Sequence, residues 1–281
     1  MSNLPQTVGI VGLGQIGGSI ALALRKRAPQ LRLLGVELQS SRAAKARSFL
    51  DAVSTELDEL AGADWIVLAT PVRVILRLLP ELFDRFPKAA VLDTGSTKQA
   101  ILTEARKLGP DFQFVGGHPL AGSEKAGETG WNPDLFEKRP FFLCQAAESQ
   151  PLQARAGALV EQLGARPVWV DPEEHDRLLA YSSHFAYLLS VLYLLQGKTT
   201  DQLHPLFLGS GFAGLARLAG SSAEMALDMV WTNRENVLRE LRHFQKFLIQ
   251  LEEILEGAQV EELNHWLRRA ESLWQEVKPR D

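Results

Sequence analysis

The chain has 281 residues, enough for one large domain or two smaller ones at roughly 100–200 residues each. A hydrophobic share of 46% and a charged share of 23% are those of a globular protein with a sizeable core, which excludes wholesale disorder. The balance of 30 Lys and Arg against 34 Asp and Glu leaves a net charge of −4 and argues against a dedicated nucleic-acid binder, while one cysteine rules out a disulfide framework or a multi-cysteine zinc site.

Met1–Pro5 carries no basic segment followed by an apolar one, so no secretory signal is expected and the cytoplasm is the default compartment. Short apolar runs follow at Val8–Gly12, Leu33–Glu37, Trp65–Ala69, Ala89–Asp93, Phe112–Gly116, Pro140–Leu143 and Pro167–Val170. Their length and continuous hydrophobicity predict strands covered on both faces. Helical stretches such as Gly17–Arg27 and Ser41–Leu50 lie between the early runs, and this alternation predicts βαβ units in a mainly parallel sheet. Cys144 sits in the apolar run Phe141–Cys144 and reads as a small buried hydrophobe.

The pattern changes after Val170. Asp171-Pro172-Glu173-Glu174 is a helix start, with Asp as cap, Pro in the first position and acids in the first turn. Helices are expected over Leu178–Leu195, Leu215–Leu251 and Val260–Trp274, with a break at Gly209-Ser210-Gly211 and no strand. Ala180–Leu195, at 16 residues interrupted by Ser182, Ser183, His184 and Ser190, is shorter than the ~20 residues a bilayer needs and predicts a buried core helix, not a membrane span.

Gly12, Gly14 and Gly17 form G-x-G-x-x-G between the first strand and the first helix. The first glycine permits a tight turn, the second a close backbone approach to a pyrophosphate, and the third close helix–strand packing, with the helix N-terminus facing the phosphates. Glu37 follows 20 residues beyond Gly17, at the end of the second strand, where a carboxylate accepts from ribose hydroxyls and repels a 2′-phosphate. The motif therefore points to NAD over NADP, with Arg42 near enough in sequence to assist a phosphate. The fold class expected is α/β: an N-terminal Rossmann-type, mainly parallel sheet domain over 1–170 and a C-terminal all-helical domain over 171–281. The six histidines show no HExxH spacing, so no catalytic metal is expected.

Two polar segments follow strands and should face the cofactor crevice: Asp93-Thr94-Gly95-Ser96-Thr97-Lys98 and Gly116-Gly117-His118-Pro119-Leu120-Ala121-Gly122-Ser123-Glu124. With the Gly12–Ser19 loop, Thr70-Pro71, Glu174-His175-Asp176, Ser183-His184-Phe185 and Arg217-Leu218-Ala219, they make the chain resemble the prephenate/arogenate dehydrogenases of tyrosine biosynthesis over roughly residues 8–240. The resemblance implies an oxidative decarboxylation in which hydride leaves C4 of the substrate ring for NAD, CO₂ leaves C1 and the ring becomes aromatic. It assigns catalysis to His118, which takes the hydroxyl proton, and to Ser96, which orients that histidine. It gives His184 to the substrate pocket, Arg217 to a substrate carboxylate through its two-pronged guanidinium, and Glu124 to the loop over the site. Gly12, Gly14, Gln15, Ile16, Gly17, Glu37, Thr70 and Pro71 are the expected cofactor residues. Two departures stand out: Ala186-Tyr187 replaces a proline and second histidine of many relatives, and Ala213–Ala216 replaces polar residues before the arginine.

Two other readings share the glycine loop, a dehydrogenase of the hydroxyacid or imine type and an NAD(H)-sensing regulator without turnover. The first does not need the His118 segment, and a sensor has no use for a proton acceptor. The apolar Leu178–Leu195 helix demands cover on every face, which predicts a homodimer through the helical domain. With helix running to residue 281, no appended regulatory domain or mutase is expected, and feedback by tyrosine would act at the active site.

Overall fold

The computed structural model describes residues 5–122, 127–200 and 202–278. The apolar runs of the first half pair edge to edge as β1 (Thr7–Val11), β2 (Arg32–Val36), β3 (Ala52–Ser54), β4 (Trp65–Leu68), β5 (Ala90–Asp93), β6 (Phe114–Pro119), β7 (Pro140–Gln145) and β8 (Arg166–Trp169). They form one sheet in the order β3-β2-β1-β4-β5-β6-β7-β8, parallel except where β7 meets β6. The helices between them are α1 (Gln15–Arg27), α2 (Ser40–Ala46), α3 (Val72–Arg85), α4 (Gln99–Lys107) and α5 (Gln150–Gln162).

Both sheet faces are buried, which is why the strands read as unbroken apolar runs. Val8, Ile10, Leu33, Trp65, Val67 and Leu92 pack with Ile20 and Leu24 of α1 and Leu159 of α5. On the opposite face Leu34, Ile66, Leu68, Val91 and Phe114 meet Ile75 and Leu79 of α3 and Leu102 of α4. Burying each such side chain contributes roughly 1.5–3 kcal/mol before entropy is set against it. Cys144 is wholly buried, as expected, and burial pushes its thiol up to about 12, so it is unreactive. The three-residue β3 was not expected; it borders β2 alone and is too short to show a period.

Beyond β8 the described residues are helical. Asp171 Oδ1 accepts from the amides of Glu173 and Glu174 and starts α6 (Pro172–Leu179), as the sequence predicts. A π-helical turn over Ala180–Phe185 carries the chain into α7 (Ala186–Thr199), making one 28-residue helix. The 16-residue expectation is thus corrected: by length and composition this helix is able to cross a bilayer, and only 28% of its most apolar window is buried. The buried polar groups His175, Asp176, His184 and Ser190 argue against lipid as its surroundings. The single helix expected over Leu215–Leu251 is also corrected. It is divided into α8 (Ser210–Ala216), a 3₁₀ turn Arg217–Gly220, α9 (Ala223–Thr232) and α10 (Arg234–Glu256). Ser222 restarts the chain by accepting from the Met225 amide, and Asn233 interrupts it by turning its side chain inward. The last helix is α11 (Val260–Val277).

Two compact units result, Met1–Arg234 and Glu235–Asp281. In the second, α10 and α11 form a hairpin in which Phe247 meets Trp266 edge to face at 5.9 Å.

Candidate active site

The carboxyl ends of the parallel strands β1, β4, β5 and β6 share one edge of the sheet, so the residues that follow them meet there. Gly12 has φ +85°, and a side chain at Gly17 would lie 1.9 Å from the Gly12 carbonyl oxygen, so both must be glycine for the turn to form at all. Gly14 differs. It precedes α1 with φ −61°, and a Cβ built on it would meet nothing within 4 Å. No protein atom requires a glycine here, so the open space fits a ligand that approaches the backbone at a helix N-terminus.

Thr70 and Pro71 follow β4 beside this turn. A Cβ at Gly12 would touch Thr70 Cγ2 at 2.8 Å, and Thr70 Oγ1 is buried without a hydrogen-bond partner among the described residues. Gln15 reaches toward the segment after β6, its Oε1 3.8 Å from the Cβ position of Gly122, and Ile16 packs on the core. Glu37 is buried, with its carboxylate accepting from the amides of Leu13 (2.9 Å) and Gln39 (2.8 Å) and from Arg42 Nη1 (3.0 Å). Arg42 also lies 3.6 Å from Glu128, which pairs with Lys45.

His118 stands at the end of β6, half-buried, with Nδ1 3.0 Å from His175 Nε2. Burial, reinforced by His175, Lys98 and His184, holds its imidazole well below the ordinary histidine range, so it is neutral near pH 7. The strand beneath it is anchored by a wholly buried ion pair: Lys98 Nζ binds Asp93 and donates to the Gly117 carbonyl at 2.6 Å, while Asp93 accepts from the Gly117 amide at 3.1 Å. Ser96 is half-buried after β5, and among the described residues no hydrogen bond joins it to His118, whose Nδ1 meets His175.

His184 lies in the π-helical turn, a distortion that recurs at functional sites, and is fully buried. Its Nδ1 is 3.0 Å from Asn233 Nδ2, and its Nε2 is buried without a hydrogen-bond partner among the described residues. Burial pulls its pKa down to about 4, against the opposing charge of Asp176. Arg217 is exposed at the start of the 3₁₀ turn, which is tied to α7 by the Ala219 amide donating to Ser190 Oγ at 3.0 Å. Glu124 lies outside the described residues.

Several residues were missed in the sequence. Trp131 Nε1 donates to the carbonyls of Leu13 and Gly14, both at 3.0 Å, and its indole fills the space that a side chain at Gly18 would need. His175, Asp176 and Asn233 converge behind His118 and His184; the Glu174-His175-Asp176 match flagged the first two but gave them no role.

Open space beside Gly14 at a helix N-terminus and a neutral imidazole on the same sheet edge fit one class, a nucleotide-dependent dehydrogenase. Residues 20–169 match the family model of the prephenate dehydrogenase nucleotide-binding domain, and residues 171–269 match that of its dimerization domain. Prephenate dehydrogenase of Bacillus subtilis (strain 168) is 31% identical over 281 residues, which cover 96% of this chain and 76% of the relative. The crystal structure of prephenate dehydrogenase from A. aeolicus in complex with hydroxyphenyl propionate and NAD+ superposes with a TM-score of 0.88 at 27% identity, covering 97% of this chain and 98% of that one. Synechocystis arogenate dehydrogenase superposes with a TM-score of 0.80 at 30% identity, covering 96% and 99%. The chain belongs to the prephenate dehydrogenase family.

Proposed function

We propose that the protein oxidatively decarboxylates prephenate, or arogenate, with NAD⁺ as hydride acceptor. The observation that carries this reading is His118, neutral at the carboxyl edge of the sheet that also holds the opening at Gly14. NAD⁺, when bound along Gly12, Gly14, Gln15, Ile16, Gly17, Glu37, Thr70 and Pro71, supplies an acceptor for the C4 hydride. His118 takes the proton of the ring hydroxyl, and loss of CO₂ from C1 completes an aromatic ring. Ser96, in the loop after β5, would serve the same hydroxyl. His184 Nε2, buried and unpartnered, suits a polar group of the substrate, because an imidazole nitrogen left alone in the core costs about 1–3 kcal/mol. Arg217 would pair with a carboxylate, and Glu124 would stand in the loop above.

The domain reading is 1–170 for the dinucleotide and 171–281 for substrate and dimerisation, supported by family models that meet at the same place. A homodimer through the helical domain is supported by the exposed apolar side chains Tyr181, Leu192 and Leu195, the last 60% exposed in the single chain. Such an interface would bury more than ~2,000 Å² in total. The compartment we propose is the cytoplasm, with no membrane or nucleic-acid partner.

Incubation with NAD⁺ and either prephenate or arogenate, followed through formation of reduced nicotinamide, tests the reading. Turnover of one or both is expected. Turnover confined to small hydroxy acids or imines, or tight NAD⁺ binding with no turnover, would overturn it.

A further inference from the structure

The hydrogen bonds of His118 run inward along a chain of three side chains. His118 Nδ1 lies 3.0 Å from His175 Nε2, and His175 Nδ1 lies 2.8 Å from Asp176 Oδ1. His175 and Asp176 are each 1% exposed. Asp176 is held from a second direction: the Lys98 amide donates to Oδ1 at 2.8 Å and the Gln99 amide to Oδ2 at 2.9 Å. Its carboxylate thereby caps α4, whose own N-cap residue Lys98 supplies no side-chain cap. Asn233 Nδ2 also donates to the Asp176 carbonyl at 2.7 Å. The far end of the chain is therefore fixed.

An ionised carboxylate only accepts, and this sets the order of protons along the chain. His175 donates from Nδ1 to Asp176, so neutral His175 carries its lone pair on Nε2. That lone pair accepts from His118 Nδ1–H. The basic lone pair of His118 is then on Nε2, the nitrogen not engaged with His175. We propose that His175 and Asp176 are positioning residues of the reaction: they select the His118 tautomer whose Nε2 accepts the substrate proton, and they stabilise the imidazolium that forms. On protonation at Nε2, both His118 nitrogens carry hydrogen. The Nδ1–H···Nε2 bond to His175 becomes charge-assisted, and the Asp176 carboxylate lies behind it. The other charged or titratable groups facing His118 are Lys98, paired with Asp93, and His184 on the π-helical turn. Burial and the charges of His175, Lys98 and His184 all disfavour the imidazolium, so the compensation has to come from a neutral His175 accepting the Nδ1 proton at 3.0 Å with Asp176 behind it.

The proposal rests on His118 being the proton acceptor, and the test separates the two. His175→Asn keeps a donor near Asp176 but is too short to reach His118. His175→Gln extends a carbonyl toward His118 Nδ1 and restores the acceptor. In His175→Asn we expect kcat to fall about 10- to 100-fold, with the KM for NAD⁺ within about threefold of wild type. The acid limb of kcat/KM should move to lower pH, because the imidazolium has lost its acceptor. His175→Gln should recover most of kcat. Wild-type kcat and an unmoved acid limb in His175→Asn would overturn the proposal. So would equal impairment of both variants with an unmoved limb, which marks a packing role. On the unmutated protein, ¹⁵N-labelled imidazole spectra should find both His118 and His175 protonated at Nδ1; His118 protonated at Nε2 would overturn the proposal even if the variants fail to fold. Wild type inactive toward prephenate and arogenate would remove the functional reading, and the imidazole spectra would still decide the order of protons.

Discussion

Alanine substitution at three neighbouring glycines separates cofactor space from packing space. At Gly14 a Cβ meets nothing within 4 Å and φ is −61°, which alanine adopts without strain. Gly14→Ala should leave stability within about 1 kcal/mol of wild type. The added methyl projects into the opening where the pyrophosphate would lie against the backbone, so the Kd for NAD⁺ should rise tenfold or more, about 1.4 kcal/mol. At Gly17 the Cβ would sit 1.9 Å from the Gly12 carbonyl oxygen, a backbone atom held by the β1 turn. Helix α1 would have to move off the sheet, so Gly17→Ala should cost about 3 kcal/mol or more. At Gly18 the obstacle is Trp131 Nε1, also at 1.9 Å. There the indole would give up its bonds to Leu13 and Gly14, costing roughly 1–3 kcal/mol. Thermal unfolding gives the stability of each variant, and calorimetric titration gives NAD⁺ affinity. Wild-type NAD⁺ affinity in a well-folded Gly14→Ala would refute the assignment of that space to the pyrophosphate.

Arg217→Ala should raise the KM for the substrate strongly while leaving NAD⁺ affinity alone, since loss of a bidentate carboxylate contact costs about 2–4 kcal/mol of binding; an unchanged KM would leave Arg217 as a surface residue. Glu37→Ser should narrow the preference for NAD⁺ over NADP⁺ by removing the carboxylate and freeing Arg42, its ion-pair partner at 3.0 Å, for a 2′-phosphate; better use of NADP⁺ by wild type would contradict this. His184 titrates near 4 in the folded chain against 6.5 for an ordinary histidine, so the unfolded chain binds the extra proton between those values. Its contribution is fully present above pH 6.5 and is lost as pH falls toward 4, on the order of 3 kcal/mol in all. Denaturant unfolding across that range should show the loss, and His184→Gln should flatten it; an equally steep variant would show that other groups carry the acid sensitivity.

The sheet was legible because its strands are buried on both faces, and burial writes itself as an apolar run. β3 escaped because three residues bordering β2 carry no period. The helix start at Asp171 was readable as a local cap, whereas its continuation through Ala180–Phe185 to Thr199 was not, since a π-helical turn has no composition of its own. Leu215–Leu251 read as one helix because apolar spacing persists through it; the break at Asn233 follows from a side chain drawn to the Asp176 carbonyl, 57 residues away. The glycine loop and the His118 segment announced themselves by local spacing. The partners that orient them did not: Trp131 reaches the loop from 118 residues on, and His175 reaches His118 across 57. Contacts at such separations are properties of the fold.

The central claim is that neutral His118 accepts the substrate proton at the carboxyl edge of the sheet. Its most direct test compares His118→Asn with wild type in NAD⁺ affinity and in the rate of reduced-nicotinamide formation at saturating substrate. The account predicts an unchanged NAD⁺ Kd and a kcat lower by about 10²–10⁴-fold, the usual contribution of a positioned acid or base. A variant that binds NAD⁺ normally and turns over at the wild-type rate would contradict it.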